Sequence, residues 1–181
     1  MKKKIDLRVV KTKNSIYNAL VMLLKDKAFE EIKVSDICKM ALINRSTFYA
    51  HFEDKYELFS NFIEDLKNSF AEEIKKIEGN LSSREYYLEI IRVFLDHIEG
   101  KEDLYKAIMI NNRNSIIMDM IRETINVDIK RRVNKDVDGI PADIVSYFYL
   151  GAVVNVGAEW INGGKKYSKE EMFSYFEKLI K

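Results

Sequence analysis

Residues 32–55 read IKVSDICKMALINRSTFYAHFEDK, and their spacing decides the fold. Val34 to Ala41 is predicted to form a short helix with Ile37 and Ala41 turned inward. A tight turn follows at Leu42-Ile43. Asn44 stands where the next helix needs a cap, with a side-chain oxygen able to accept from an orphan N–H of the first turn. Arg45 to His51 makes that next helix. Phe48 and Phe52, four residues apart, share its apolar side. Ser46, Thr47, Tyr49 and Ala50 occupy the other side, and such small or hydroxylated groups suit close approach to a groove. In a helix-turn-helix the second helix lies in the major groove of DNA with its N-terminal residues on base edges. Spacing alone leaves a second reading at even weight. The pair is then a helical hairpin whose polar face meets only water, a common pattern in all-α domains.

The residues of this stretch also carry a family resemblance. Lys33 to Leu58, above all Asn44-Arg45-Ser46-Thr47-Phe48-Tyr49 followed by His51-Phe52 and Asp54-Lys55, is similar to the DNA-binding domain of TetR-family transcriptional regulators. The resemblance implies a DNA-reading role for the second helix. Arg45 and Ser46 in its first turn are the base-reading candidates, since arginine bonds bidentately to guanine O6 and N7. Ser35, at the start of the first helix, is a weaker one. By resemblance Thr47, Tyr49, His51 and Lys55 are phosphate donors, which position a protein without reading sequence. Two residues depart from the family pattern. Leu42 stands where glycine is usual, and a left-handed leucine would cost on the order of 1 kcal/mol, so a different turn geometry is expected. Lys33 replaces the usual threonine cap and weakens that helix start.

Composition agrees with a helical chain. The 181 residues are 47% hydrophobic, enough for a core, and one proline with seven glycines leaves long segments uninterrupted. Strand-like alternation with regular turn clusters is absent. The single cysteine, Cys38, cannot form an internal disulfide, which points to a reducing, cytoplasmic setting. Met1-Lys2-Lys3-Lys4 leads into a mixed polar run rather than a signal-like apolar stretch. No run of about 18 apolar residues predicts a membrane span. Net charge is only +1, yet it is unevenly spread. Residues 1–55 hold twelve Lys/Arg against seven Asp/Glu, while residues 56–181 hold eighteen against twenty-two. The positive end lies beside the helix-turn-helix, where phosphate attraction favours it.

Apolar periodicity predicts the remaining helices. Ile16, Leu20, Leu23 and Leu24 form one stripe of a helix over 7–26. Together with residues 32–54 it makes a DNA-binding domain, 1–54, and a helix over 55–77 joins this to a regulatory and dimerisation domain, 55–181. Gly79-Asn80 reads as a C-terminal stop. Ser82-Ser83-Arg84-Glu85 and Ser168-Lys169-Glu170-Glu171 each read as a capping box. They open helices near residue 83 and near residue 169. Further helices are expected over 102–110 and 115–134. Pro141 fits a helix start, and the helix that follows, 142–162, is the most apolar of the chain. Apolar on most sides and followed by an amphipathic helix, it predicts a homodimer. The resemblance implies the same, because TetR-family regulators pair through their last two long helices. Residues 147–151, 160–164 and 168–171 also resemble the C-terminal region of one Gram-positive-type subgroup.

Catalytic constellations are lacking in the sequence. His51 and His97 lie far apart, no HExxH or CxxC pattern points to zinc, and there is no glycine-rich phosphate loop or GxSxG elbow. No cofactor or enzymatic activity is predicted. The chain reads as an all-α regulator that binds a double-stranded DNA operator as a homodimer. By resemblance it is a repressor released by a small-molecule effector held in the C-terminal domain. Tyr87, Phe94, His97, Tyr105, Met109, Met118 and Asn155 offer the aromatic, thioether and polar surface of such a pocket. The same residues equally suit an ordinary close-packed core. A competing function is a helical protein-interaction scaffold, or a partner-regulated activator, that uses DNA contact only for localisation.

Overall fold

The computed structural model describes residues 7–76, 81–112, 116, 118–120 and 139–180. In chain order these form α1 (Leu7–Leu24), a 3-10 turn (Phe29–Glu31), α2 (Val34–Ala41), α3 (Arg45–Tyr49) and α4 (Lys55–Lys75). Then come α5 (Ser83–Gly100), α6 (Glu102–Lys106) running into a π-helical turn (Ala107–Asn111), α7 (Ala142–Asn162) and α8 (Lys169–Leu179). Among the described residues the elements are all helical, as the periodicity predicts. The expected stop at Gly79-Asn80, the basic Lys2 to Lys4 and most of the helix expected over 115–134 lie outside the described residues. Ile116 and residues 118–120 are helical.

The N-terminal core is built from the predicted stripe. Ile16, Leu20 and Leu24 of α1 meet Ile37, Phe48, Leu58 and Phe59, all fully buried. Burial of each such side chain is worth about 1.5–3 kcal/mol before entropy is counted. Aromatic edges interlock within it: Phe29 tilts against Phe59 at 5.3 Å between centroids, and Phe48 against Phe52 at 5.8 Å. Polar bonds tie α1 to its neighbours. Ser15 Oγ donates to the Ala41 carbonyl at the end of α2 (3.1 Å), and the Tyr17 hydroxyl donates to Asp65 of α4 (2.9 Å). Burial, with the Asp65 bond and charge adding to it, pushes the Tyr17 phenol far above its usual range, so it remains a neutral donor.

Both predicted capping boxes form. Ser82 accepts from the Glu85 N–H while Glu85 accepts from the Ser82 N–H at 2.8 Å. Ser168 and Glu171 do the same for α8, with the Ser168 N–H donating at 2.8 Å. α8 then lies along α5. Lys169 bridges Asp96 and Glu99 at 2.7 and 3.0 Å, and the Arg92 guanidinium sits 4.1 Å over the Phe173 ring. Arg84 donates to the carbonyls of Glu177 (2.8 Å) and Ile180 (3.0 Å), satisfying orphan groups at the end of α8. α7 crosses α5 closely at Gly157, where a methyl group would stand 2.8 Å from the Phe94 ring.

Two local expectations are corrected. Leu42 does adopt the left-handed conformation, at φ 55° and ψ 43°. The turn therefore keeps its geometry and the leucine carries the cost, with its side chain 91% exposed. Asn44 does sit at the N-cap position of α3, but its side chain makes no cap hydrogen bond. The start of α2 is better held than its lysine suggests, because Asp36 accepts from the Lys33 N–H at 3.2 Å.

Candidate nucleic-acid interface

α2, the Leu42 turn and α3 form the surface on which the DNA-binding expectations converge. α3 is a helix of five residues, held from below by Phe48, which is fully buried, and by Phe52 just beyond its end. At about 100° per residue, Arg45, Ser46 and Tyr49 share an arc of about 100°, with Phe48 about 60° beyond its Arg45 edge. All three are exposed, as is Asn44 before them. The Arg45 side chain makes no hydrogen bond or ion pair among the described residues. Tyr49 is 56% exposed, its ring edge-on to Phe48 at 5.5 Å. Thr47, His51 and Ser35 lie at the margin, half-buried. Asn44, Arg45, Ser46 and Tyr49 thus lie exposed at the start of α3 and along it.

Lys55 does not join them as a free cation. Its ammonium donates to the carbonyls of Phe29 (2.9 Å), Glu30 (2.9 Å) and Ile32 (2.8 Å). An ammonium has three protons, and all three have an acceptor here. The same group lies 4.9 Å from the Phe29 ring centroid. Burial pulls it below the usual lysine range, with Glu30 acting in the opposite sense. The geometry gives Lys55 the work of holding the α1–α2 connection against the start of α4. A basic residue at a helix start carries no sequence sign distinguishing a phosphate donor from a carbonyl clamp. Two further cations are exposed here, Lys33 at the N-cap of α2 and Lys39 within it. Cys38 of the same helix is buried, and burial raises its thiol pKa, so the thiol stays protonated.

The residues expected to line an effector pocket divide into two groups. Tyr87, His97, Tyr105, Met109 and Met118 are buried, and Phe94 is half-buried. Phe94 packs edge-on to Tyr105 at 5.7 Å. The Tyr105 hydroxyl lies 3.4 Å from His97 Nδ1, and His97 Nε2 lies 3.0 Å from Glu73 of α4. Tyr87 stacks on Tyr149 at 4.8 Å. These contacts join aromatic packing with a thread of polar groups. Asn155 does not belong to it. It is exposed, about 200° around α7 from Gly157, which faces Phe94. A cleft of about 350 Å³ lies elsewhere, between the end of α7 and α8, lined by Trp160, Tyr167, Met172, Tyr175, Phe176 and others. None of the seven expected residues reaches it.

Among the described residues, an all-helical body with an open helix-turn-helix face has the architecture of helix-turn-helix DNA-binding proteins. Family models place it further. One for a transcriptional regulator C-terminal region matches residues 85–181, and one for bacterial regulatory proteins of the tetR family matches residues 16–61. The chain belongs to the TetR family of transcriptional regulators. It is similar to the HTH-type dhaKLM operon transcriptional activator DhaS of Lactococcus lactis, 31% identical over 103 residues covering 57% of this chain and 51% of that protein. It is also similar to YxbF of Bacillus subtilis, an uncharacterized HTH-type transcriptional regulator, 35% identical over 88 residues covering 48% of this chain. The matched region spans 51% of the first of these curated relatives and 22% of the second. A solved TetR transcriptional regulator from Streptococcus agalactiae superposes with a TM-score of 0.68 at 27% identity, over 97% of each chain.

Proposed function

We propose that this regulator binds an operator in double-stranded DNA as a homodimer and represses transcription until a small ligand in the C-terminal domain releases it. The observation that carries the DNA-binding part is the face of α3. Arg45, Ser46 and Tyr49 stand open on a helix that the buried Phe48 anchors to the core. Arg45 and Ser46 read base edges, with Asn44 and Ser35 beside them. Thr47, Tyr49 and His51 take phosphates, and the exposed Lys33 and Lys39 add charge nearby.

Dimerisation rests on the outer side of α7 and α8. Ile144, Tyr147, Phe148, Val156 and Leu179 are all exposed there, Phe148 to 70% and Leu179 to 75%. Exposed large apolar side chains of this number on two neighbouring helices suit an interface. By length and composition alone α7 is apolar enough to cross a membrane, with a mean hydropathy of 1.3 over Asp143–Asn162. Its Asp143, Asn155 and Glu159 are exposed, and a bilayer core would leave them unsatisfied. A second copy of the chain accommodates both characters, with apolar residues at the centre and polar ones at the rim.

The ligand reading rests on the group around Phe94, His97 and Tyr105, which combines aromatic surface with polar handles. A second reading, activation, is favoured by the likeness to DhaS, an operon activator by name. A gel shift with the chain's own upstream region tests the DNA-binding core of the proposal. Salt-sensitive, sequence-selective retardation is expected, and its absence removes the regulator reading in favour of a scaffold. Transcript levels after deletion of the chain separate the two signs: a rise marks repression and a fall marks activation.

A further inference from the structure

The loop between α1 and α2 is gripped from two directions. From below, Lys55 binds the Phe29, Glu30 and Ile32 carbonyls. From above it meets the end of the π-helical turn. Asn112, 2% exposed, is one of the few buried polar side chains among the described residues. Its Oδ1 accepts from the Phe29 N–H at 2.8 Å. Its Nδ2 donates to the Leu24 carbonyl at 3.1 Å and to the Ala107 carbonyl at 2.8 Å. Asn111 beside it donates to the Lys25 carbonyl (2.7 Å), the Ile116 N–H reaches Glu30 (3.1 Å), and Lys25 pairs with Asp103 of α6 (2.6 Å).

A single amide thus ties the open end of α1 to the π turn. Leu24 ends α1, where the last carbonyls lack helical partners. Ala107 opens the π turn, and its carbonyl takes a second donor from the same amide. A buried amide in this place is satisfied only while both backbones keep their present positions, and an unsatisfied one is costly. The π turn makes this conditional. Such turns contain one residue more than the α-helical path. Relaxing this one to α geometry would swing Asn112 by about 100° around the axis and withdraw it from Leu24 and Phe29. Phe29 in turn shares Lys55 with the start of α4, three residues after Phe52 closes the recognition helix.

We infer that Asn112 is a positioning residue for operator binding, a latch through which the π turn of the regulatory domain sets the α1–α2 loop and with it α3. The inference rests on the DNA-binding reading above and adds to it a named contact between the two halves of the chain.

Asn112→Ala in the full-length chain tests it, alongside Lys55→Met and the double variant, each assayed on the chain's own upstream DNA and on non-specific DNA at matched salt. With a cooperative melt retained, Asn112→Ala is expected to weaken operator binding about tenfold, equivalent to ~1.4 kcal/mol, and to leave non-specific binding within twofold. The double variant should lose less than the product of the two single losses, because both act through the same loop. Wild-type operator affinity in folded Asn112→Ala, or strictly multiplicative losses, overturns the latch. Should Asn112→Ala fail to fold, Asn111→Ala combined with Asp103→Asn loosens the same joint from exposed positions. About a threefold loss of operator affinity then supports the latch, and an unchanged affinity overturns it. If the wild-type chain itself shows no selective DNA binding, the regulator reading fails first and the latch falls with it. That result is distinct from a latch variant that binds like wild type.

Discussion

α3 and α8 are both short helices, yet they exist for opposite reasons. α8 has eleven residues, a complete Ser168–Glu171 capping box, and Arg84 on its last carbonyls. Most of its start is specified by four neighbouring residues. α3 has five residues and no side-chain cap bond. A single turn fixes several dihedrals for few hydrogen bonds and does not persist alone in water. Phe48, fully buried in the core it shares with residues of α1, α2 and α4, keeps it helical. The difference teaches where freedom lies. A helix held by its core needs nothing from its outer residues, so Arg45, Ser46 and Tyr49 remain available for a ligand. A helix held by its caps has its first turn committed.

The largest expected effect breaks α3 from beneath. Phe48→Ala removes a fully buried ring and should cost about 3–5 kcal/mol, with operator binding lost together with the cooperative unfolding of the N-terminal half. A denaturant titration beside a gel shift reads both, and unaltered stability would refute the claim that packing makes this helix. Next, Arg45→Ala should weaken operator binding by about 1–3 kcal/mol and relax preference at one base position while leaving the melting temperature in place. Retained affinity and preference would remove Arg45 from the base-reading set.

Smaller effects sharpen the contrast. Ser168→Ala should lower stability by about 1 kcal/mol without touching DNA affinity at saturating protein, since the loss is confined to the start of α8. Calorimetry measures the first and a binding isotherm the second, and an equal loss in both would contradict local specification. Leu42→Gly carries the smallest change, with a positive sign. Relief of a left-handed leucine, partly offset by the freer unfolded chain, should add about 0.5–1 kcal/mol. A lowered melting temperature would show that the exposed leucine contributes contacts of its own.

The helix-turn-helix was legible because its signals are local. Phe48 and Phe52 at helical spacing, the Val34–Ala41 bounds and both capping boxes follow from neighbours within a few residues, and the structure keeps them all. Lys55 shows the limit. A lysine at a helix start beside a DNA-facing segment reads as a phosphate donor, and only folding brings the carbonyls of residues 29–32 around its ammonium. Asn155 shows another. On an apolar helix every polar residue looks like a handle for a ligand, and the phase that puts Gly157 rather than Asn155 against α5 depends on the partner helix.

From its sequence alone the chain settled its helical class and most helix starts, because periodicity and caps act over three or four residues, and the family resemblance of residues 33–58 added the helix-turn-helix. Tertiary structure alone decided that Leu42 would bear a left-handed backbone, that Asn44 would leave the α3 cap unbonded, and that Asn112 would join residues 83 and 88 positions distant. Those outcomes depend on groups brought together by packing. Contact energies at such sequence separations are set by the whole core, and no window of neighbouring residues contains them.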